Sequence, residues 1–170
     1  MKRVLLIAVN AKYIHSNPAV YSLKAYAQAA LEDLNVEINI AEYTINQNTE
    51  NILADIYRRK PDIAAFSCYI WNWNTIQGLL PEIPKLLPET KLWLGGPEVS
   101  FHAEKILEQY SYLDGIMVGE GEQTFTELVR FYQTEEGSLL DIKGLVLPTG
   151  RTPVRELTDM NRLPFLYKDL

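Results

Sequence analysis

Two short runs of glycine and glutamate stand where an apolar segment gives way to a segment with helical periodicity. The first run is 95–98 and the second is 119–122. Glycine has no Cβ atom, so it lets the backbone of a loop lie close to a ligand. Glycine and proline also mark ordinary turns, and glutamate beside a first helical turn complements the helix dipole. Each run alone therefore predicts either a ligand-contacting loop or a structural turn.

Two further segments, 10–17 and 67–74, follow the first and third apolar runs and contain aromatic and polar side chains. Tyrosine and tryptophan offer flat faces on which a ligand can stack, so the four segments together predict a broad, partly apolar ligand site. Trp71 and Trp73 could equally be core or interface residues, and His15 could be a surface hydrogen-bonding group. The candidate site residues are Asn10, Lys12, Tyr13, His15, Ser16, Ser67, Tyr69, Trp71, Trp73, Gly95, Gly96, Pro97, Glu98, Gly119, Glu120, Gly121 and Glu122.

The sequence lacks the motifs of several common chemistries. It has no C-x-x-C, H-E-x-x-H or G-x-S-x-G motif for metal or nucleophile chemistry. It also has no G-x-x-x-x-G-K-S/T phosphate loop and no G-x-G-x-x-G after the first apolar run. A phosphorylatable receiver domain needs acidic residues at positions where this chain carries Asn10, Ser67 and Cys68. We therefore expect neither a nucleotide fingerprint nor a phosphoacceptor site.

Charge and composition exclude further classes. A net charge of −6 over 170 residues argues against non-specific nucleic-acid binding, which needs a basic surface. No apolar stretch approaches the roughly 20 residues of a membrane-spanning helix. The single cysteine, Cys68, excludes an internal disulfide and fits a reducing compartment. The composition therefore predicts a soluble cytoplasmic domain.

Strand-like and helix-like segments alternate along the chain, which predicts βαβ units and a parallel sheet covered on both faces. Asn17 and Asn74 are predicted helix N-caps, and Pro81 is expected to kink the helix that follows Asn74. Segment 36–43 alternates apolar and polar residues as at a sheet edge, so the predicted strand order is 2-1-3-4-5. Strands are predicted at 4–9, 36–43, 62–69, 91–96 and 115–119, and helices at 18–33, 49–60, 100–110 and 122–133.

This pattern predicts a doubly wound α/β fold with three α/β/α layers, of Rossmann-like or flavodoxin-like type. Ligands of such folds bind outside the carboxyl ends of the strands, near the point where strand order reverses, so the four loops are expected to meet there. The alternation ends after residue 136. Segment 142–157 predicts a short β-hairpin that turns at 148–150, and 158–170 predicts a linker.

Four segments together resemble the N-terminal cobalamin-binding domain of cobalamin-dependent radical S-adenosylmethionine enzymes. This group includes the anaerobic magnesium-protoporphyrin IX monomethyl ester oxidative cyclase and related methylases. The resemblance covers essentially the whole chain, and the glycine-rich runs that close two strands are its most specific part. The segments are 94–107, 114–129, 141–147 and 163–170.

The resemblance implies that the strand-end loops hold the corrin ring and the nucleotide tail of cobalamin. It places Gly95, Gly96 and Pro97 in a G-G-P motif, with Glu98 at a variable position, and 119–122 in a G-E-G-E motif. It also implies that loops 10–17 and 67–73 face the cobalt side of the corrin. The D-x-H-x-x-G motif that supplies a cobalt-binding histidine elsewhere is absent around His15, which implies a cobalt without a lower histidine ligand.

The C-x-x-x-C-x-x-C motif of an iron–sulfur cluster is also absent, and in relatives it follows soon after a segment like 163–170. The resemblance therefore implies a fragment that is inactive alone, with residues 1–136 as the cobalamin-binding domain and 137–170 as a hairpin and linker. The parent would add a barrel with a 4Fe-4S cluster and S-adenosylmethionine, for oxidative cyclisation or methyl transfer. The surface facing that barrel could drive dimerisation of the fragment.

A non-catalytic flavodoxin-like module that binds a flavin, a nucleotide or a protein partner is the alternative. It predicts the same fold, and a flavin could stack on the same tryptophans. A flavin needs a phosphate-binding nest at the first turn, and segment 10–17 contains no glycine. The cobalamin hypothesis is therefore favoured.

Overall fold

A mostly parallel β-sheet forms the centre of the computed structural model, which describes residues 1–159, 161, 163 and 164. The parallel strands are β1 (Lys2–Asn10), β2 (Val36–Thr44), β3 (Ile63–Ser67), β4 (Lys91–Gly95) and β5 (Gly115–Met117). Their order in the sheet is β2-β1-β3-β4-β5, so the predicted order 2-1-3-4-5 is confirmed. Apolar runs buried on both faces form the inner strands, and β2 lies at the edge, as its alternation predicts.

The C-terminal hairpin extends the same sheet. Strand β6 (Leu145–Leu147) pairs antiparallel with β5, and β7 (Gly150–Arg151) pairs antiparallel with β6. The predicted hairpin is confirmed, but its place beside β5 is not encoded in any local periodicity. The predicted linker 158–170 lies mostly outside the described residues.

Helices cover both faces of the sheet. Helices α1 (Pro18–Ala30) and α7 (Glu122–Thr134) pack on one face, and the helices between β2 and β5 pack on the other. Asn17 caps α1 as predicted, since its Oδ1 accepts the Ala19 backbone N–H at 3.1 Å. The remaining helices are α2 (Thr49–Arg59), α3 (Trp73–Leu79), α4 (Ile83–Leu86), α5 (Pro97–Ser100) and α6 (Ala103–Gln109).

The helix after β3 differs from its prediction in two ways. It begins at Trp73, so the prediction of Asn74 as its N-cap is wrong; Trp73 N–H already bonds to the Tyr69 carbonyl at 3.0 Å. Pro81 separates α3 from α4, which turns the expected kink into a break. The helix predicted at 100–110 likewise consists of the single turn α5 and the longer α6.

The sheet packs tightly around Trp93, which is fully buried under α7 and donates its indole N–H to the Tyr132 hydroxyl at 3.2 Å. A Cβ atom on Gly115 of the adjacent strand would lie 2.5 Å from the Trp93 ring. Glycine at 115 therefore makes room for the tryptophan. None of the described helices is both long enough and apolar enough to cross a membrane.

Cys68 lies directly after β3 and its side chain is fully buried. Burial raises the pKa of the Cys68 thiol because a thiolate is poorly solvated in an apolar core. We expect less than about a tenth of the thiol to react with an aromatic disulfide reagent over one hour in native buffer, and all of it to react in guanidinium chloride. Rapid labelling of the folded protein would contradict this burial.

Candidate functional site

A cleft of about 680 Å³ opens at the carboxyl ends of the parallel strands. Its walls come from α1 and from the ends of the parallel strands, chiefly on the sheet face beneath α1, and its rim comes from the loops after β3, β4 and β5, from α5 and from β7. The wall residues are Leu6, Ala19, Val20, Leu23, Ala65, Phe66 and Met117, and the rim residues are Ser67, Tyr69, Gly95, Gly96, Pro97, Ser100, Phe101, Val118, Gly119, Glu120, Gly121, Glu122 and Arg151.

Nine of the seventeen predicted site residues line this cleft, and eight do not. Those brought together are Ser67, Tyr69, Gly95, Gly96, Pro97, Gly119, Glu120, Gly121 and Glu122. Those outside the lining are Asn10, Lys12, Tyr13, His15, Ser16, Trp71, Trp73 and Glu98. The division follows the chain: segments 95–97 and 119–122 reach the cleft together, whereas 10–16 lies outside its lining.

Gly96 fastens the β4 loop to the β3 loop. Its φ angle is +104°, and a Cβ atom there would lie 2.4 Å from the Cys68 carbonyl oxygen. The same crossing carries two backbone hydrogen bonds, from Cys68 N–H to the Gly95 carbonyl at 2.7 Å and from Glu98 N–H to the Cys68 carbonyl at 3.3 Å. Only glycine fits this position without displacing a backbone, so it is required by the structure of the rim itself.

Glycine is needed at 119 and at 121, after β5, for two different reasons. Gly119 has a φ angle of +85° and open space around its missing Cβ, so its requirement is conformational. A Cβ atom on Gly121 would lie 2.9 Å from a terminal methyl carbon of Leu23 on α1. Gly121 therefore brings the start of α7 close to α1 at the cleft wall.

Ser67 is positioned by the cap of α1. The Asn17 side chain donates Nδ2–H to Ser67 Oγ at 2.9 Å while its Oδ1 caps the helix. The Ser67 hydroxyl thus accepts from Asn17, and no described residue accepts its proton. Ser67 can therefore donate a hydrogen bond into the cleft.

Asn72 stabilises the loop after β3 through side-chain hydrogen bonds. Its amide is fully buried and donates to the carbonyls of Val9 at 3.0 Å and Ser67 at 2.9 Å, while Oδ1 accepts the Tyr69 N–H at 2.8 Å. This residue joins the ends of β1 and β3 to the loop between β3 and α3. Sequence analysis missed it because the carbonyl of Val9 lies 63 positions away along the chain.

Asn10, predicted as a ligand contact, has a structural role in the described chain. It is buried, and its Nδ2 donates to the His15 carbonyl at 2.8 Å and to Glu42 Oε1 at 3.0 Å. These bonds close the loop 10–17 on itself and on β2. Lys12, Tyr13, His15 and Ser16 are exposed around the closed loop.

The two tryptophans of the β3 loop have different surroundings. Trp71 is 48% exposed and stacks on Tyr69 with ring centroids 4.4 Å apart and planes within 10°. Trp73 packs against the core on the α2–α6 side and meets Tyr110 edge-on at 6.4 Å. Tyr69 lines the cleft and stacks on Trp71, whereas Trp73 is partly buried and packs against the core.

Glu120 and Glu122 are both engaged by the protein. Glu122 begins α7 and accepts the Ser22 hydroxyl at 2.7 Å, which ties α7 to α1. Glu120 accepts the Thr158 backbone N–H at 2.5 Å. This N–H donor holds the pKa of Glu120 below its usual value, so the carboxylate stays ionised at neutral pH. Within the described residues there is no cluster of three or more histidine, cysteine or acidic side chains that could hold a metal ion.

Sequence comparison identifies this arrangement. Residues 4–129 match the family described as B12 binding domain. The chain belongs to the B12-binding domain family. Its cleft, its sheet and α1 all lie within the matched residues except for the hairpin that contributes Arg151.

Relatives of this B12-binding domain belong to much longer proteins. The cobalamin-dependent radical SAM methyltransferase TokK from Streptomyces tokunonensis is 27% identical over 95 residues, which are 56% of this chain and 14% of TokK. The structure of the cobalamin-dependent S-adenosylmethionine radical enzyme OxsB with aqua-cobalamin and S-adenosylmethionine bound matches with a TM-score of 0.79. Its identity is 16%, over 96% of this chain and 24% of OxsB.

A second solved structure gives the same fold. The radical S-adenosylmethionine methyltransferase TsrM from Kitasatospora setae, with cobalamin and a [4Fe-4S] cluster bound, matches with a TM-score of 0.69. Its identity is 22%, over 95% of this chain and 30% of TsrM. The predicted Rossmann-like fold and the predicted resemblance to cobalamin-binding domains are therefore confirmed, and the flavin alternative is not favoured.

The apolar wall of the B12-binding domain and four of its rim positions, Ser100, Phe101, Val118 and Arg151, were not predicted from the sequence. Val20 and Leu23 show the helical periodicity of core residues, and nothing in that pattern separates a cleft wall from a core. Phe101 is 83% exposed at the rim, and Arg151 comes from the hairpin. Both depend on tertiary placement, so local pattern carries no signal for them.

Proposed function

We propose that this domain binds cobalamin, with the nucleotide tail in the cleft and the corrin over the rim. The observation that supports this most directly is the form of the cleft, an apolar slot between the sheet and α1 that opens on glycine-rich loops. An aromatic base fits between apolar walls such as Val20, Leu23 and Met117. The open space around the missing Cβ of Gly119 leaves room for a bulky ring system at the mouth.

The residues of this chain bind and orient the cofactor. Ser67 offers its hydroxyl proton to an acceptor on the tail, and Tyr69 offers a ring supported by Trp71 at the mouth. Apolar walls exclude water from the bound tail. Cobalamin supplies the chemistry when bound, as a methyl carrier or as a redox group.

A titration with hydroxocobalamin tests this function. The folded protein is expected to retain about one equivalent of corrin through gel filtration, measured by its absorption spectrum, and to retain no flavin mononucleotide under the same conditions. Retention of the flavin alone would reverse the assignment. Release of the corrin at micromolar concentrations would contradict the proposal that this domain binds cobalamin.

Replacing Ser67 with alanine is expected to weaken hydroxocobalamin binding by about tenfold, because one hydrogen bond from a half-buried hydroxyl is lost. Calorimetry measures the change. Ser111→Ala is the matched control, since Ser111 is exposed in the loop before β5 at the opposite end of the sheet. Equal affinities of the two variants would show that Ser67 does not contact the ligand.

At the level of the whole protein, we propose a radical S-adenosylmethionine enzyme that adds a barrel with a 4Fe-4S cluster. Support comes from the similarity to TokK and TsrM, which are radical S-adenosylmethionine methyltransferases. Methyl transfer is favoured over oxidative cyclisation on that basis. Three further expectations stay predictions: that the domain ends at residue 136, that the isolated chain is inactive, and that it dimerises.

A further inference from the structure

Three charged side chains line the described cleft: Glu120, Glu122 and Arg151. Both carboxylates already accept hydrogen bonds from the protein, from the Thr158 backbone and from the Ser22 hydroxyl. Arg151 is the one cation among the described lining residues. A ligand group that carries negative charge therefore meets two carboxylates and a single guanidinium in this cleft.

The hairpin places Arg151 at the β5 side of the rim. Arg151 pairs with Val146 on β6, and Val146 pairs with Ile116 on β5. These pairings bring Arg151 to the cleft that Glu122 lines, although Arg151 lies 29 positions beyond Glu122 in the sequence. The hairpin thus supplies the one cation of the described lining, which the βαβ units before it do not supply.

Glu104 fixes the orientation of the guanidinium. Arg151 Nε donates to Glu104 Oε1 at 2.9 Å, and Nη2 donates to Oε2 at 3.2 Å. This side-on pair leaves Nη1 without a hydrogen-bond acceptor among the described residues. The Arg151 side chain is 42% exposed, so its free N–H groups are accessible. A guanidinium held in this way offers N–H groups in the planar geometry that suits a phosphate.

Cobalamin carries one phosphodiester, in the nucleotide tail, and that group is negatively charged at neutral pH. The two lining carboxylates repel it unless a cation lies close by. We propose that Arg151, oriented by Glu104, binds the phosphodiester of the cobalamin tail. This inference rests on the proposed function, and it names the residue that distinguishes complete cobalamin from corrinoids without a nucleotide tail.

The test compares hydroxocobalamin with cobinamide, a corrinoid that lacks the phosphodiester and the nucleotide, by calorimetry on the full chain. Arg151→Ala is expected to weaken hydroxocobalamin binding by about tenfold or more and cobinamide binding by less than twofold. Arg151→Lys is expected to retain part of the preference for hydroxocobalamin over cobinamide. Lysine keeps the positive charge but lacks the planar guanidinium. Arg58→Ala makes the same change in net charge at an exposed position of α2, so it should leave both affinities unchanged.

The outcomes separate this inference from the proposed function. Failure of the unchanged protein to bind either corrinoid overturns the proposed function and this inference with it. Equal binding of both corrinoids by the unchanged protein overturns the placement of the tail in the cleft and the phosphodiester contact with it, while cobalamin binding itself stands. An equal loss of both in Arg151→Ala overturns the phosphodiester contact alone. Circular dichroism checks that each variant is folded, and Arg151→Gln replaces the alanine variant if that variant unfolds.

Discussion

Replacing Gly96 with alanine is expected to destabilise the domain by about 3 kcal/mol and to abolish measurable cobalamin binding. A left-handed backbone costs an alanine about 1–2 kcal/mol, and an overpacked contact adds about 1–3 kcal/mol. Here the new Cβ would lie 2.4 Å from the Cys68 carbonyl oxygen and 3.0 Å from the Cys68 nitrogen. Those atoms are backbone, so the β3 loop must move, and that loop forms part of the cleft rim.

Urea unfolding measures the loss of stability, and two neighbouring glycines provide controls. A Cβ on Gly95 would make only ordinary contacts of 3.7–3.8 Å with Met117, so Gly95→Ala should change the free energy of unfolding by less than about 1 kcal/mol. Gly119→Ala should cost about 1–2 kcal/mol, because its φ angle is +85° but its surroundings are open. A Gly96→Ala protein as stable as Gly95→Ala would contradict the close crossing of the two loops.

Replacing Arg155 with alanine is expected to destabilise the domain by about 2–4 kcal/mol, because the side chain is a nearly buried hub of hydrogen bonds. The side chain is only 9% exposed and forms a two-pronged pair with Glu127. Its Nε donates to the fully buried Thr124 hydroxyl at 2.8 Å, and Nη2 donates to the Lys143 carbonyl at 3.2 Å. These contacts fasten the segment after β7 to the start of α7.

The free energy of unfolding of Arg155→Ala is best compared with that of Arg58→Ala. Arg58 forms an exposed pair with Asp55 at 3.3 Å, and such pairs contribute less than about 1 kcal/mol. Limited proteolysis gives a second measurement, because release of the segment after β7 should expose it to cleavage. An Arg155→Ala protein that matches Arg58→Ala in both measurements would show that the hub contributes little.

The order of the strands was predictable from the sequence because it depends on local pattern. The alternation of 36–43 marks an edge strand, and unbroken apolar runs mark inner strands. The loops at 95–98 and 119–122 were also recognisable from local pattern. Glycine that follows a strand indicates either a turn or a close contact of the backbone with a ligand. At Gly96 the structure shows a structural reason, the close contact with the Cys68 backbone, and contact with a ligand there stays a prediction.

The rest of the site depends on contacts between distant parts of the chain. Trp71 and Trp73 look equivalent in sequence, yet one lies in a loop and the other begins α3 against the core. Arg151 reaches the rim only because β6 pairs antiparallel with β5. Segment 10–17 has no periodicity to show where its side chains point, and its closure by Asn10 and Glu42 is a tertiary contact.

Asn72 determines when the loop between β3 and α3 loses its conformational freedom. Its three hydrogen bonds, to Val9, Ser67 and Tyr69, are internal to the protein and are made by a fully buried amide. The entropy of ordering this loop is therefore lost on folding and not on ligand binding. Since an amide does not titrate, the shape of the loop is also independent of pH. A ligand that enters the cleft therefore meets a β3 loop that is already ordered.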